Sequence, residues 1–161
     1  MKKNIRKFLL ITTLILGIQG FAEATNVKAA SSSPLPNDKY CFAVTKDATT
    51  TDMNGNTTAT ALKAGTDWKV SNEFYHQDQI NYQIASNIFV NQNFGYLYLP
   101  MVQTITTANH TTHLYDHNGN EIKNRALAPN SSWYSDRSIL VDKITYCRVA
   151  TDEFVALGDL V

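Results

Sequence analysis

Residues 114–161 read LYDHNGNEIKNRALAPNSSWYSDRSILVDKITYCRVATDEFVALGDLV, and a worn copy of this stretch lies about 65 residues upstream. Asp52-Met53-Asn54-Gly55-Asn56 answers Asp116-His117-Asn118-Gly119-Asn120 at an offset of 64. From Ala61 onward the offset is 65: Ala61-Leu62 answers Ala126-Leu127, Trp68 answers Trp133, and Phe89-Val90 answers Phe154-Val155. One spacing held over roughly thirty positions marks a tandem repeat of two units.

Each unit reads as β-structure. Asn54-Gly55 and Asn118-Gly119 are two-residue hairpin signals, a turn that asks for positive φ at both central positions. Apolar stripes at helical spacing are missing, and about five short strands per unit, separated by turn signals, predict an all-β barrel or sandwich. The specific expectation is a pair of small barrels of the Src-homology-3 type. Trp68 and Trp133 stand at the same repeat position and read as core residues, with sugar-stacking platforms as the alternative. Between the units, Tyr96-Leu97-Tyr98-Leu99-Pro100-Met101-Val102 alternates aromatic and aliphatic residues, as a half-buried joining strand does.

The N-terminus reads as a secretory signal over 1–29. Lys2, Lys3, Arg6 and Lys7 precede the apolar run Phe8–Ile18, and cleavage is expected after Ala24 or Ala29. The run is too short to span a bilayer, which takes about 20 apolar residues, so no membrane span is expected after cleavage. Residues 30–37 read as a mobile Ser/Pro linker, 38–95 as the first and more degenerate unit, and 96–161 as the second.

The whole chain balances 14 basic against 14 acidic residues. Five of the basic residues and one of the acidic ones lie before Ala30, which leaves 9 against 13, or −4. That balance excludes the basic footprint of a nucleic-acid binder. It also removes long-range attraction to a polyanion as a driving force.

Catalytic patterns are missing. There is no Gly-x-Ser-x-Gly, the carboxylates are scattered, and neither cysteine lies in a catalytic signature, so no enzyme and no cofactor is expected. His110, His113 and His117 cluster in sequence, but strand spacing puts positions 113 and 117 about 13 Å apart, which disfavours a metal site. The Asp-x-Asn-Gly-Asn segments lack the glycine and bidentate glutamate positions of a calcium loop. Cys41 and Cys147, one in each unit of an exported chain, are a possible disulfide that would pin the units together; free thiols are the alternative.

LYDHNGNEIKNRALAPNSSW and ITYCRVATDEFV resemble the surface-layer protein (SLAP) module of lactic-acid-bacterial envelope proteins. The resemblance covers residues 112–161, and more loosely 38–95. It implies a secreted protein held non-covalently on the wall of a Gram-positive bacterium through teichoic acid or another wall glycan. A structural or accessory role in the surface (S-layer) lattice, through contacts with its proteins, is the alternative. Such modules are usually strongly basic, and this chain departs from that. Within the matching part, Lys123, Arg125 and Arg148 with Tyr115 and Tyr146 are the candidate ligand contacts, since Arg forks suit phosphates and aromatic faces suit sugar rings.

Overall fold

A computed structural model describes residues 31–36, 39–76 and 78–161, so the signal-peptide reading lies outside the described residues. The fold is all-β. In order come β1 (Ser31–Pro34), β2 (Cys41–Val44), β3 (Ala48–Thr51), β4 (Thr57–Leu62), β5 (Asp67–Lys69), β6 (Asn72–His76), β7 (Gln79–Ala85) and β8 (Ile88–Asn91). After them come β9 (Gly95–Thr106), β10 (Thr112–Tyr115), β11 (Glu121–Leu127), β12 (Ser132–Val141), β13 (Ile144–Ala150) and β14 (Glu153–Ala156). Single 3-10 turns lie at Gln92–Phe94 and Leu157–Asp159.

The strands form two antiparallel sheets. One runs β1-β6-β7-β8-β3-β4, the other β11-β10-β14-β13-β12-β9-β2-β5, and neither order closes on itself. The runs β4-β3-β8-β7-β6 and β11-β10-β14-β13-β12 share one order. They differ where Val70-Ser71 separate β5 from β6; the same place in β12 is continuous. The Ser/Pro segment expected to be mobile is instead strand β1 over Ser31–Pro34, paired to β6.

The 12-residue strand β9 is where the halves meet. Gly95–Tyr98 pairs with β2, while Leu99–Thr106 pairs with β12. A division at 95/96 therefore gives the second half a strand whose first residues complete the first. Successive side chains on a strand point to opposite faces. Leu97 accordingly packs with Phe42, Val44 and Val90 in the N-terminal core. Tyr96 and Tyr98 pack the other way, against Ile139, Tyr146 and Phe154. A third cluster, Leu114, Leu127 and Val155, fills the C-terminal half. The Tyr96–Leu99 part of β9 is thus covered on both faces, which explains why Tyr-Leu-Tyr-Leu carries no charged or amide side chain, whereas Pro100, Met101 and Val102 beyond it are exposed.

The two Asn-Gly turns share a geometry that differs from the expected one. Only the glycines have positive φ, +85° at Gly55 and +81° at Gly119. The carbonyls of Asp52 and Asp116 accept from the N–H of Gly55 and Gly119, each at 3.0 Å. This is a three-residue loop ending in a left-handed glycine. The aspartate wraps it: Asp52 Oδ1 accepts from the N–H of Asn54 and Asn56 at 2.9 and 2.8 Å, and Asp116 Oδ1 from Asn118 and Asn120 at 2.8 and 2.9 Å.

The tryptophans occupy matching places, though not core centres. Trp68 lies opposite Phe42 and Trp133 opposite Ile105. Their indole N–H groups donate to Thr66 and Ser131, each two residues back, at 2.9 and 2.8 Å. Trp68 is half-buried, whereas Trp133 is 36% exposed. An indole tied to a surface hydroxyl sits at the rim, and Phe42, Leu114 and Phe154 fill the interiors.

Candidate functional site

The aromatic residues read as ligand contacts belong to the contact between the halves. Tyr146 is 5% exposed, and its ring meets that of Tyr115 at 5.2 Å between centroids. Both belong to the cluster around Tyr98 and Phe154, Tyr146 buried within it and Tyr115 half-buried against it. The guanidinium of Arg148 is also taken: its Nε donates to Asp136 Oδ1 at 2.8 Å, and Nη2 to Oδ2. Lys123 and Arg125 lie apart, exposed on the outermost strand β11, with Arg125 ion-paired to Glu153.

Arg137 joins this network, and sequence reasoning passed it over. It is 6% exposed. Nη1 and Nη2 donate to the two carboxylate oxygens of Asp67, across the halves, at 3.0 and 2.9 Å. Nη2 also reaches Asp136 at 3.1 Å, and the guanidinium lies 4.0 Å from the centroid of the Tyr98 ring. Burial works against the charge on Arg137, yet bonds from Asp67 and Asp136 raise its pKa further. Burial likewise opposes the Asp136 anion, but bonds from Arg148 and Arg137 outweigh it and hold that carboxyl below the usual range. Two cations and two anions offset one another, and the Nε–Nη2 edge of Arg148 and both Nη groups of Arg137 are already engaged by carboxylates. The available signal was Asp136-Arg137 set beside the apolar run Ile139-Leu140-Val141.

The open space lies beside this contact. Two adjoining cavities, of about 620 and about 480 Å³, share Tyr82, Tyr96, Leu97 and His117 in their walls. Such volumes fall within the range of ligand sites. The larger adds Tyr40, Glu73, Leu99 and the Ser138–Val141 edge of β12. The smaller adds Thr45, Lys46, Gln92, Asn93 and Asn118. Aromatic faces, side-chain amides and hydroxyls predominate, with one lysine and one carboxylate. Burial, with Glu73 nearby, pushes Tyr82 up to about 12, so its hydroxyl keeps its proton and can donate.

His117 is held firmly in the shared wall. Its Nδ1 lies 2.7 Å from Asp152 Oδ1, which also accepts the His117 backbone N–H at 3.0 Å. Its ring stacks on Tyr96, with centroids 5.1 Å apart and planes 27° apart. The other histidines of the sequence cluster go elsewhere: His113 to Glu121 at 2.8 Å, and His110 towards Asp159 at 4.0 Å. Among the described residues no group of three or more His, Cys, Asp or Glu is gathered to hold a metal ion.

Both cysteines are free. Cys41 on β2 and Cys147 on β13 have β9 and β12 between them. Three strand spacings amount to about 14 Å, twice the reach of a disulfide, so the possible bridge is not formed. Burial raises the Cys147 thiol pKa, which keeps it protonated and unreactive.

No protein-family model matches the chain, and no curated protein matches it.

Proposed function

We propose that the protein is a secreted, non-catalytic component of a bacterial cell envelope, held on the wall by glycopolymer, and that its halves are two Src-homology-3-type modules of the surface-layer kind. Three features support the module reading. The two five-strand orders match. Each half ends in a 3-10 turn. In each, the residue after that turn pairs back at the end of the opening strand or one residue past it, Gly95 with Val44 and Leu160 with Thr107.

The observation that carries the binding role is the cleft between the halves, with tyrosines and amides in its walls. Aromatic rings present apolar faces to sugar rings, while amides and hydroxyls match sugar hydroxyls one for one. The test is sedimentation of the full chain with purified Gram-positive walls, compared with an unrelated β-protein of similar charge. Pelleting with walls and release by solubilised wall polymer is the expected result. A chain that stays in the supernatant would refute the role and favour contacts with surface-lattice proteins.

A further inference from the structure

Resting on the wall-binding reading above, we propose that the cleft takes an uncharged saccharide, one of whose hydroxyls donates to Nε2 of His117. The sequence left two chemistries open, an anionic polymer on Arg and Lys or a neutral glycan on aromatic faces. The side-chain geometry separates them.

The anionic choice is the weaker one. The Arg137 fork is engaged by Asp67, and the Nε–Nη2 edge of Arg148 by Asp136, although Arg148 also lines two smaller openings beside that pair. Arg125 is paired with Glu153, and with Lys123 it stands on the far strand β11, lining neither cavity. Within the cleft the charged groups are one lysine, Lys46, on the smaller cavity and one carboxylate, Glu73, on the larger.

The neutral choice has a built site. Because Nδ1 of His117 faces a carboxylate at 2.7 Å, the ring proton sits there, which leaves Nε2 as an acceptor in the neutral ring. The amide nitrogen of Asn118 lies 3.3 Å from Nε2, a long contact from an amide N–H donor that a sugar hydroxyl would replace at the single Nε2 lone pair. A sugar hydroxyl is both donor and acceptor, so it can give its proton to Nε2 and take one from a neighbouring amide. Asn93 and Gln92 lie along the same wall. Asp152 and the Tyr96 stack fix the ring, so the acceptor is held in place before any ligand arrives.

At the equivalent turn the N-terminal half has Met53, whose N–H donates to Asn87 Oδ1 at 3.0 Å. The backbone contact is the same, but no side-chain acceptor is present. The cleft is therefore a property of the pair and is not repeated in each half.

Two probes test this on the full chain: short uncharged oligomers of N-acetylglucosamine, and poly(glycerol phosphate). Teichoic-acid-stripped walls serve as a third arm. The neutral oligomer is expected to bind with little dependence on salt, and stripped walls are expected to pellet the protein as well as intact ones do. His117→Phe keeps the stacked ring and removes the acceptor, so neutral binding should weaken roughly tenfold, the loss of one good hydrogen bond. Asn93→Ala, at an exposed position, should weaken it with the fold intact by circular dichroism. Binding of poly(glycerol phosphate) alone, weakened by Lys123→Ala and untouched by His117→Phe, would overturn the saccharide assignment while leaving the wall role standing. Failure of the wild type to bind any wall would remove both.

Discussion

Three positions are filled differently in the two halves. In the C-terminal half Asp136, Arg137 and Arg148 form an ionic network that reaches across to Asp67. Their counterparts at the 65-residue offset are Ser71, Asn72 and Gln83. These also bond to one another, but as neutral groups: Asn72 Nδ2 donates to Gln83 Oε1 at 2.7 Å, and Ser71 Oγ lies 3.2 Å from the same oxygen. The acceptor differs as well, since Ser132 stands where the N-terminal half has Asp67. One half carries the arginine and the other the receiving carboxylate, so the contact is made once and has no repeat partner. The neighbouring positions follow suit. Tyr146 is buried and Tyr115 half-buried, and Thr51 and Asn81 stand in their places on the other half.

The sharpest way to break this comparison is at Gly95, which closes the N-terminal half as Leu160 closes the C-terminal one. An added Cβ at Gly95 would stand 1.8 Å from the Ala43 carbonyl oxygen, a backbone atom that cannot step aside. Gly95→Ala is expected to cost about 3 kcal/mol, the upper end of overpacking, by opening the β2–β9 ladder. Leu160→Ala should cost less than that, as shown by urea unfolding of both variants. Equal losses would mean that the two closures do not differ as described.

Next comes the network itself. Removing one member of a fully buried ion pair costs about 3–5 kcal/mol, but the Asp67 side chain is 42% exposed and can be rehydrated. Arg137→Ala is therefore expected to cost about 2 kcal/mol, part of it through lost packing on Tyr98. Asn72→Ala, which removes a neutral bond, should cost about 1 kcal/mol or less. A larger loss at Asn72 would reverse the ranking of the two triads.

The smallest effect is acid sensitivity. The Asp136 and Asp116 carboxyls are both held below the ordinary aspartate value, against the burial of each. A carboxylate with a depressed folded pKa stabilises the fold above its unfolded value of about 3.9, and that contribution is lost as pH falls through the depressed one. Stability should thus be flat from neutral pH to about 5 and decline below about 4. Amide exchange should open β12 and β13 before β6 and β7, because Ser71, Asn72 and Gln83 do not titrate. Opening in the reverse order would count against the ionic network as the difference between the halves.

Much of the fold could be read in the sequence, because turns and alternation are local properties. That the chain turns at the Asn-Gly steps, though not the loop type, and that a joining strand runs from Tyr96 both follow from residue type. What could not be read is which alternating face is covered by distant chain. Tyr146 and Arg148 share a face by periodicity, and an exposed ligand face and a face awaiting another half look the same locally. Arg137 was hidden for a related reason, since its main partner, Asp67, is 70 residues away. The cleft was less legible still, because its walls come from several strands and loops of both halves.

A further consequence concerns insertions. A residue added to an ordinary linker costs little, because loop entropy grows slowly with length. Between Gly95 and Leu99 there is no slack of that kind. One extra residue would shift the phase of everything downstream, turning aromatic rings towards the space shaped for Leu97 and leucines towards the space shaped for Tyr98. Both interiors would be mismatched by a single event. In β9 the mutual placement of the halves and the reading frame of the pleat are one and the same variable, so this pair of repeats cannot drift apart in small steps there.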